Sequence, residues 1–146
     1  MSIEKQNQYV EVAIPVPMRQ LFTYQLPTKL QTPEVVIGER VIVPFGARQV
    51  IGIITNIESE CDVPASKLKA VLSRMDSRFN IDPLLLKFLS ACARYYHHPI
   101  GDVFQQALPI LLRKIEPPKL VTPTLWLSTA DINDELMVTL AKKAPK

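Results

Sequence analysis

The side chains able to cut a bond or hold a metal are few in this sequence and poorly spaced for either task. The only histidines, His97 and His98, are adjacent. Neighbouring residues point in different directions, which suits polar helix-end positions better than chelation of one ion. Cys61 lies in a polar stretch and Cys92 inside a helical pattern, with no metal-ligand spacing between them. There is no glycine-rich phosphate loop, no His-x-x-x-His pair and no serine in a nucleophile elbow. The carboxylates are scattered, and no two stand out as an acid and base couple. No catalytic residue, metal site or cofactor is therefore expected in this chain. A small nuclease acting at 3′ ends is the least favoured reading, because no carboxylate cluster could hold its metal.

Binding chemistry has more material. Phe22 and Tyr24 alternate with Thr23 and Gln25, so both aromatic rings fall on one face of an extended segment. Tyr9 and Phe45 belong to segments nearby. Aromatic rings on a small β-domain can stack on bases, although each taken singly is better read as core, where large aromatics mostly lie. Gly46 follows an extended run in Pro44-Phe45-Gly46, where a missing side chain lets a ligand approach the backbone or simply supplies a turn angle. Lys69 alternates with Leu68 and Ala70, which turns its ammonium away from the apolar face and makes it available to a phosphate or to water.

These residues need a β-rich frame. Tyr9–Val16 reads as a strand that ends at a Pro-x-Pro step near a sheet edge. Leu21–Leu26, Glu39–Phe45, Val50–Ile57 and Lys67–Met75 read as four more strands. Gly52, inside the fourth, is expected to mark a bulge or a bend. Five short strands with tight connections fit a small, partly closed barrel of the OB type, in an α+β chain. Asp82 caps a helix with Pro83 in its first position, and Leu85, Phe88, Leu89 and Cys92 supply its apolar face. A shorter helix over Asp102–Leu112 is bent or broken at Pro109. From Pro117 the chain is proline-punctuated, carries the single tryptophan, Trp126, and ends in a helical pattern with Leu136 and Leu140. Residues 1–112 are read as one domain, and 113–146 as a linker and the beginning of a second. A strand over Leu120–Ser128 would lack neighbours, so this tail is expected to be disordered or to pair with a second copy.

Composition bounds the partner. Nearly half of the 146 residues are apolar and the net charge is only +3. Up to Leu112 there are eleven basic and ten acidic residues. A protein gripping a long run of phosphates shows a larger basic excess, so any nucleic-acid footprint is expected to cover one or two phosphates. The polar N-terminus has no apolar core of a signal peptide, and no apolar run reaches membrane-spanning length. A cytoplasmic protein without a membrane partner is expected.

Four stretches carry a resemblance. They are Glu11–Pro27 (EVAIPVPMRQLFTYQLP), Gly38–Ile54 (GERVIVPFGARQVIGII), Ser66–Asp76 (SKLKAVLSRMD) and Ala93–Arg113, which holds YYHHPIGDV and ALPILLR. In order and spacing they resemble the N-terminal domain of the primosomal protein N′ family, the replication-restart helicases. The resemblance covers most of residues 9–113. Beyond Pro117 it is looser, where the family runs on into a winged-helix domain.

The resemblance implies a DNA-binding module that holds the 3′ end of the nascent leading strand at stalled or abandoned forks. The pocket residues it implies are Phe22, Thr23, Tyr24, Gly46 and Lys69. At Thr23 the family usually carries an aspartate that hydrogen-bonds the base. A threonine hydroxyl is a weaker, uncharged partner, which implies base contact looser by roughly 1 kcal/mol. The family's ATP, magnesium and zinc belong to helicase parts far downstream; the resemblance implies a full-length family protein that is an ATP-dependent 3′–5′ helicase. Implied partners are single-stranded 3′ ends, forked DNA, the parent's helicase domains, single-strand-binding protein and other primosome proteins. The competing reading is a scaffolding module that docks onto those proteins with little DNA affinity of its own.

Overall fold

The computed structural model describes residues 8–64 and 66–116. The expected second domain and the tail strand lie outside the described residues.

Six strands form one curled sheet: β1 (Gln8–Ala13), β2 (Phe22–Leu26), β3 (Arg40–Phe45), β4 (Arg48–Glu58), β5 (Lys69–Ala70) and β6 (Ser73–Arg74). Their order across the sheet is β5-β2-β1-β4-β3-β6. The first strand is therefore central, not near an edge. It also stops at Ala13, because Pro15 has no amide to continue a ladder. Ile14 and Val16 stay buried beyond it.

The expected fifth strand is two. Lys69–Ala70 runs parallel to β2, while Ser73–Arg74 runs antiparallel to β3 at the opposite side of the sheet. Between them the amide of Val71 donates to the Gln25 carbonyl and that of Leu72 to the Ile42 carbonyl, each at 2.9 Å. Two consecutive amides thus reach β2 and β3 in turn, and this strap draws the curled sheet into an OB-like half-barrel. Val71, only 2% exposed, plugs the interior beneath it. Gly52 does not mark the irregularity of β4. The register against β1 shifts between Glu11 and Val12, leaving Thr55 as the extra residue. Its hydroxyl donates to the Glu11 carbonyl at 3.1 Å.

Alternation gives the sheet two apolar faces. Val10, Val12, Tyr24, Leu26, Val41, Val43 and Ile54 point into the barrel. Ala13 and Ile53 face outward onto α1 (Pro83–Tyr95) and α2 (Ile100–Ala107). Asp82 caps α1 by accepting from the amides of Leu84 and Leu85, at 2.8 and 3.4 Å. The face that packs is Leu86, Leu89 and Ala93, a stripe displaced from the expected one. Leu85 and Phe88 lie in solvent, 44% and 62% exposed, and Cys92 is half-buried. Of the expected face Leu89 packs as read, while Leu86 and Ala93 take the places expected of Leu85, Phe88 and Cys92, because α1 carries apolar residues on two sides. The second helix ends at Ala107, and a 3₁₀ turn over Ile110–Arg113 follows Pro109. At Gly101 any Cβ would run into the Ile14 carbonyl, so glycine lets α2 sit directly on the chain beyond β1.

Two charged side chains are buried in the barrel wall, Glu39 and Arg40, each 1% exposed. The Arg74 guanidinium donates in a fork to Glu39, with Nε–Oε1 at 2.5 Å and Nη2–Oε2 at 3.0 Å. It also donates to the carbonyls of Leu30, Pro33 and Glu34, which belong to the β2–β3 connection. Arg40 donates to the Leu112 carbonyl at 3.1 Å and lies over the Phe79 ring. Burial pulls the Arg40 guanidinium below its usual range, and the charge of Asp76 opposes that shift. Removing one partner of a buried pair leaves the other uncompensated. Glu39→Ala is therefore expected to destabilise the fold by roughly 3 kcal/mol, read from the urea midpoint. A loss below about 1 kcal/mol, the range of surface pairs, would show that the pair does not hold the strap.

Candidate nucleic-acid interface

At one mouth of the half-barrel, the start of β2, the β3–β4 turn and the start of the strap meet around a hollow of about 340 Å³. Each element brings its side chain there for a local reason. In β2, Phe22, Tyr24 and Leu26 share the inward face, and burial deepens along the strand from Phe22 to Leu26. Tyr24 is 3% exposed and its hydroxyl donates across the barrel to the Pro44 carbonyl at 3.2 Å. Burial pushes its phenol pKa up, so it stays a neutral donor. Phe22, half-buried at the mouth, meets Phe45 edge to face, with ring centroids 5.3 Å apart. The two rings form one apolar wall.

Gly46 opens the two-residue turn between Phe45 and Arg48. Its φ of +59° is left-handed, a region that costs a residue with a Cβ. A methyl placed on it would meet nothing within 4 Å. The glycine is thus required by backbone angle, while the space beside it is open. Lys69 pairs in register with Tyr24, and its exposed side chain lines the hollow from the strap side.

Phe22, Thr23, Tyr24, Gly46 and Lys69, distant in the chain, therefore line the same hollow. Phe45, noted from sequence only as a nearby ring, lines it too. Gln20, Leu21, Pro44, Val63 and Lys67 are lining residues that sequence reasoning missed. Lys67 had a signal: it stands two residues before Lys69, the spacing that puts side chains on one side of an extended segment. Val63 had none, since it comes from an irregular loop. Two lysines and no carboxylate line the hollow, so its local field favours an anion although the chain is nearly neutral. The histidines, cysteines and carboxylates form no group able to hold a metal among the described residues.

An apolar wall, an open backbone turn and two cations suit a ligand with a flat ring and a phosphate. Comparison with known proteins gives the family. Residues 11–109 match the 3′DNA-binding domain (3′BD) of PriA. This chain belongs to that family. Relatives include the Replication restart protein PriA of Haemophilus influenzae, 38% identical over 120 residues, or 82% of this chain and 16% of the relative. The same-named proteins of two Buchnera aphidicola strains, from Acyrthosiphon pisum and Schizaphis graminum, are 33% and 31% identical over 70% and 73% of this chain, each alignment spanning 14% of the relative. The chain thus spans about a sixth of the curated relatives it matches. As a 3′DNA-binding domain it is a DNA-binding module. No helix among the described residues is long and apolar enough to cross a membrane.

The backbone at Gly46 gives a test of the hollow's architecture. Gly46→Ala should cost about 1–2 kcal/mol of stability, the penalty of a Cβ in the left-handed region, without further loss from collision. A urea-unfolding loss well above 3 kcal/mol would mean that the turn is packed rather than open.

Proposed function

We propose that this 3′DNA-binding domain receives the terminal nucleotide of a DNA strand in the hollow between Phe22 and Lys69, and so recognises the 3′ end of the nascent leading strand at stalled or abandoned forks. The observation that carries the reading is the convergence of an aromatic wall, an open glycine turn and two lysines on one small hollow. The base lies against Phe22 and Phe45, where one stacked ring contributes about 1–3 kcal/mol. The sugar and its free hydroxyl lie against the backbone at Gly46, and Lys69 and Lys67 face the adjoining phosphate. A strand that continued past its last sugar would have to leave through the walls, so shape selects a terminus.

In this reading residues 1–112 form the end-binding domain, and 113–146 a linker and the start of a winged-helix domain. The parent is a replication-restart helicase, cytoplasmic and nucleoid-associated, whose other DNA contacts add avidity to a weak single-nucleotide site. Its helicase lobes, single-strand-binding protein and other primosome proteins are the further partners. A docking role is the second reading, and the exposed apolar side of α1, with Leu84, Leu85, Phe88, Tyr95 and Tyr96, favours it.

An anisotropy titration separates the two. Oligonucleotides ending in a 3′-hydroxyl are expected to bind more tightly than identical ones ending in a 3′-phosphate. Lys69→Ala should weaken binding and lower the salt slope by about 0.7, one phosphate contact on a single strand. Equal affinity for both ends removes end recognition, and absence of measurable binding leaves docking as the better reading. Thr23 gives a second measurement. Restoring the carboxylate with Thr23→Asp should tighten binding to bases that carry an amino group by roughly 1 kcal/mol, about fivefold. Affinity unchanged for every base would take residue 23 out of base contact.

A further inference from the structure

Leu21 lines two cavities. One is the hollow; the other is a groove of about 360 Å³ between the β1–β2 connection and the end of α1. Ser90, Ala93 and Arg94 form the helical side of the groove, Arg19 stands on the other side, and His97 and His98 close it. No carboxylate lines it. Arg19 and Arg94 are exposed, and neither takes part in a salt bridge among the described residues.

A cation at a helix C-terminus is favoured by the helix dipole, which accounts for Arg94 without any ligand. It does not account for Arg19, which reaches the same groove from a different element. The backbone offers a second anomaly. The end of α1 is a Schellman motif: the His98 amide donates to the Ala93 carbonyl at 2.9 Å and the His97 amide to that of Arg94 at 3.3 Å. The left-handed position of this motif usually holds glycine, yet here it holds His97, at φ +52°. A strained residue kept where glycine is easier points to use of its side chain, and that residue lines the groove.

We propose that the groove carries the single-stranded DNA immediately upstream of the 3′-terminal nucleotide, with Arg19 and Arg94 neutralising its backbone phosphates. Leu21 is the sill over which the strand passes from hollow to groove. The proposal rests on the end-binding reading and extends it: the hollow reads the terminus, and the groove adds length-dependent affinity and sets the direction in which the strand leaves. It also answers the weak net charge, because Lys67, Lys69, Arg19 and Arg94 concentrate along one path.

The test uses the 146-residue chain and thymidine oligonucleotides of two and six nucleotides with 3′-hydroxyl ends, titrated by NMR at several salt concentrations. The unaltered chain is expected to bind the longer strand more tightly. In Arg19→Ala/Arg94→Ala the ratio of the two affinities should fall toward one. The salt slope for the longer strand should drop by about 1.4, two contacts of about 0.7 each. A ratio and slope equal to those of the unaltered chain overturn the proposal. So does an equal loss at both lengths, which would place the arginines in the fold or the hollow. A 3′-phosphate version of the longer strand separates the two readings. If it binds as well as the hydroxyl form, end recognition fails, while a length ratio that still collapses in the variant upholds the groove as a strand site.

Discussion

The buried pairing of Glu39 with Arg74 is the constraint on which the rest of this small domain depends. Arg74 ends the strap that crosses from β2 to β3, and Glu39 begins the wall to which the strap is tied. The guanidinium also gathers three carbonyls of the β2–β3 connection, so its charge is met on several sides. A buried ion pair is poor evidence of stability in itself, because desolvation offsets most of its attraction. Its value lies in specifying one arrangement. An apolar pair could slide, whereas a forked guanidinium on a carboxylate has one good geometry. The strap begins at Lys69, so the same constraint fixes where that ammonium stands relative to Phe22 and Gly46.

Local signals in the sequence carried the frame and much of the candidate site. Asp82-Pro83 starts a helix by a mechanism that needs no tertiary help, and the alternation in Phe22–Leu26 marks a strand with one inward face. Three features escaped because they belong to tertiary structure. The break of Lys67–Met75 into two strands arises from pairing with opposite sides of the sheet, and nothing within the segment marks it. The packed side of α1 was ambiguous because its apolar residues span two stripes; the barrel selects Leu86, Leu89 and Ala93, the side toward Ala13 and Ile53. The bulge sits at Thr55, where β4 must follow the curvature of β1, whereas Gly52 is small because Val12 and Ile14 pass over it.

The hollow was legible as residue types but not as an enclosure. Phe22 and Tyr24 look alike in sequence and differ in place: Tyr24 is committed to the core by its bond to Pro44, and Phe22 remains at the mouth. Net charge was equally uninformative, since a nearly balanced chain can still gather lysines and arginines along one surface and keep its carboxylates elsewhere. Glu58, Glu60 and Asp62, for example, cluster together beyond the lining of the hollow.

The strap has one more effect. The outermost strands, Lys69–Ala70 and Ser73–Arg74, are two residues each and belong to one continuous stretch of chain. A β-sheet with long bare margins is a template for addition of foreign strands, and so for the runaway polymerisation that ends in fibrils. Here an intruding segment would find a ladder only two rungs long on either side. Among the described residues, the margins of this sheet therefore offer little to a second copy of the domain.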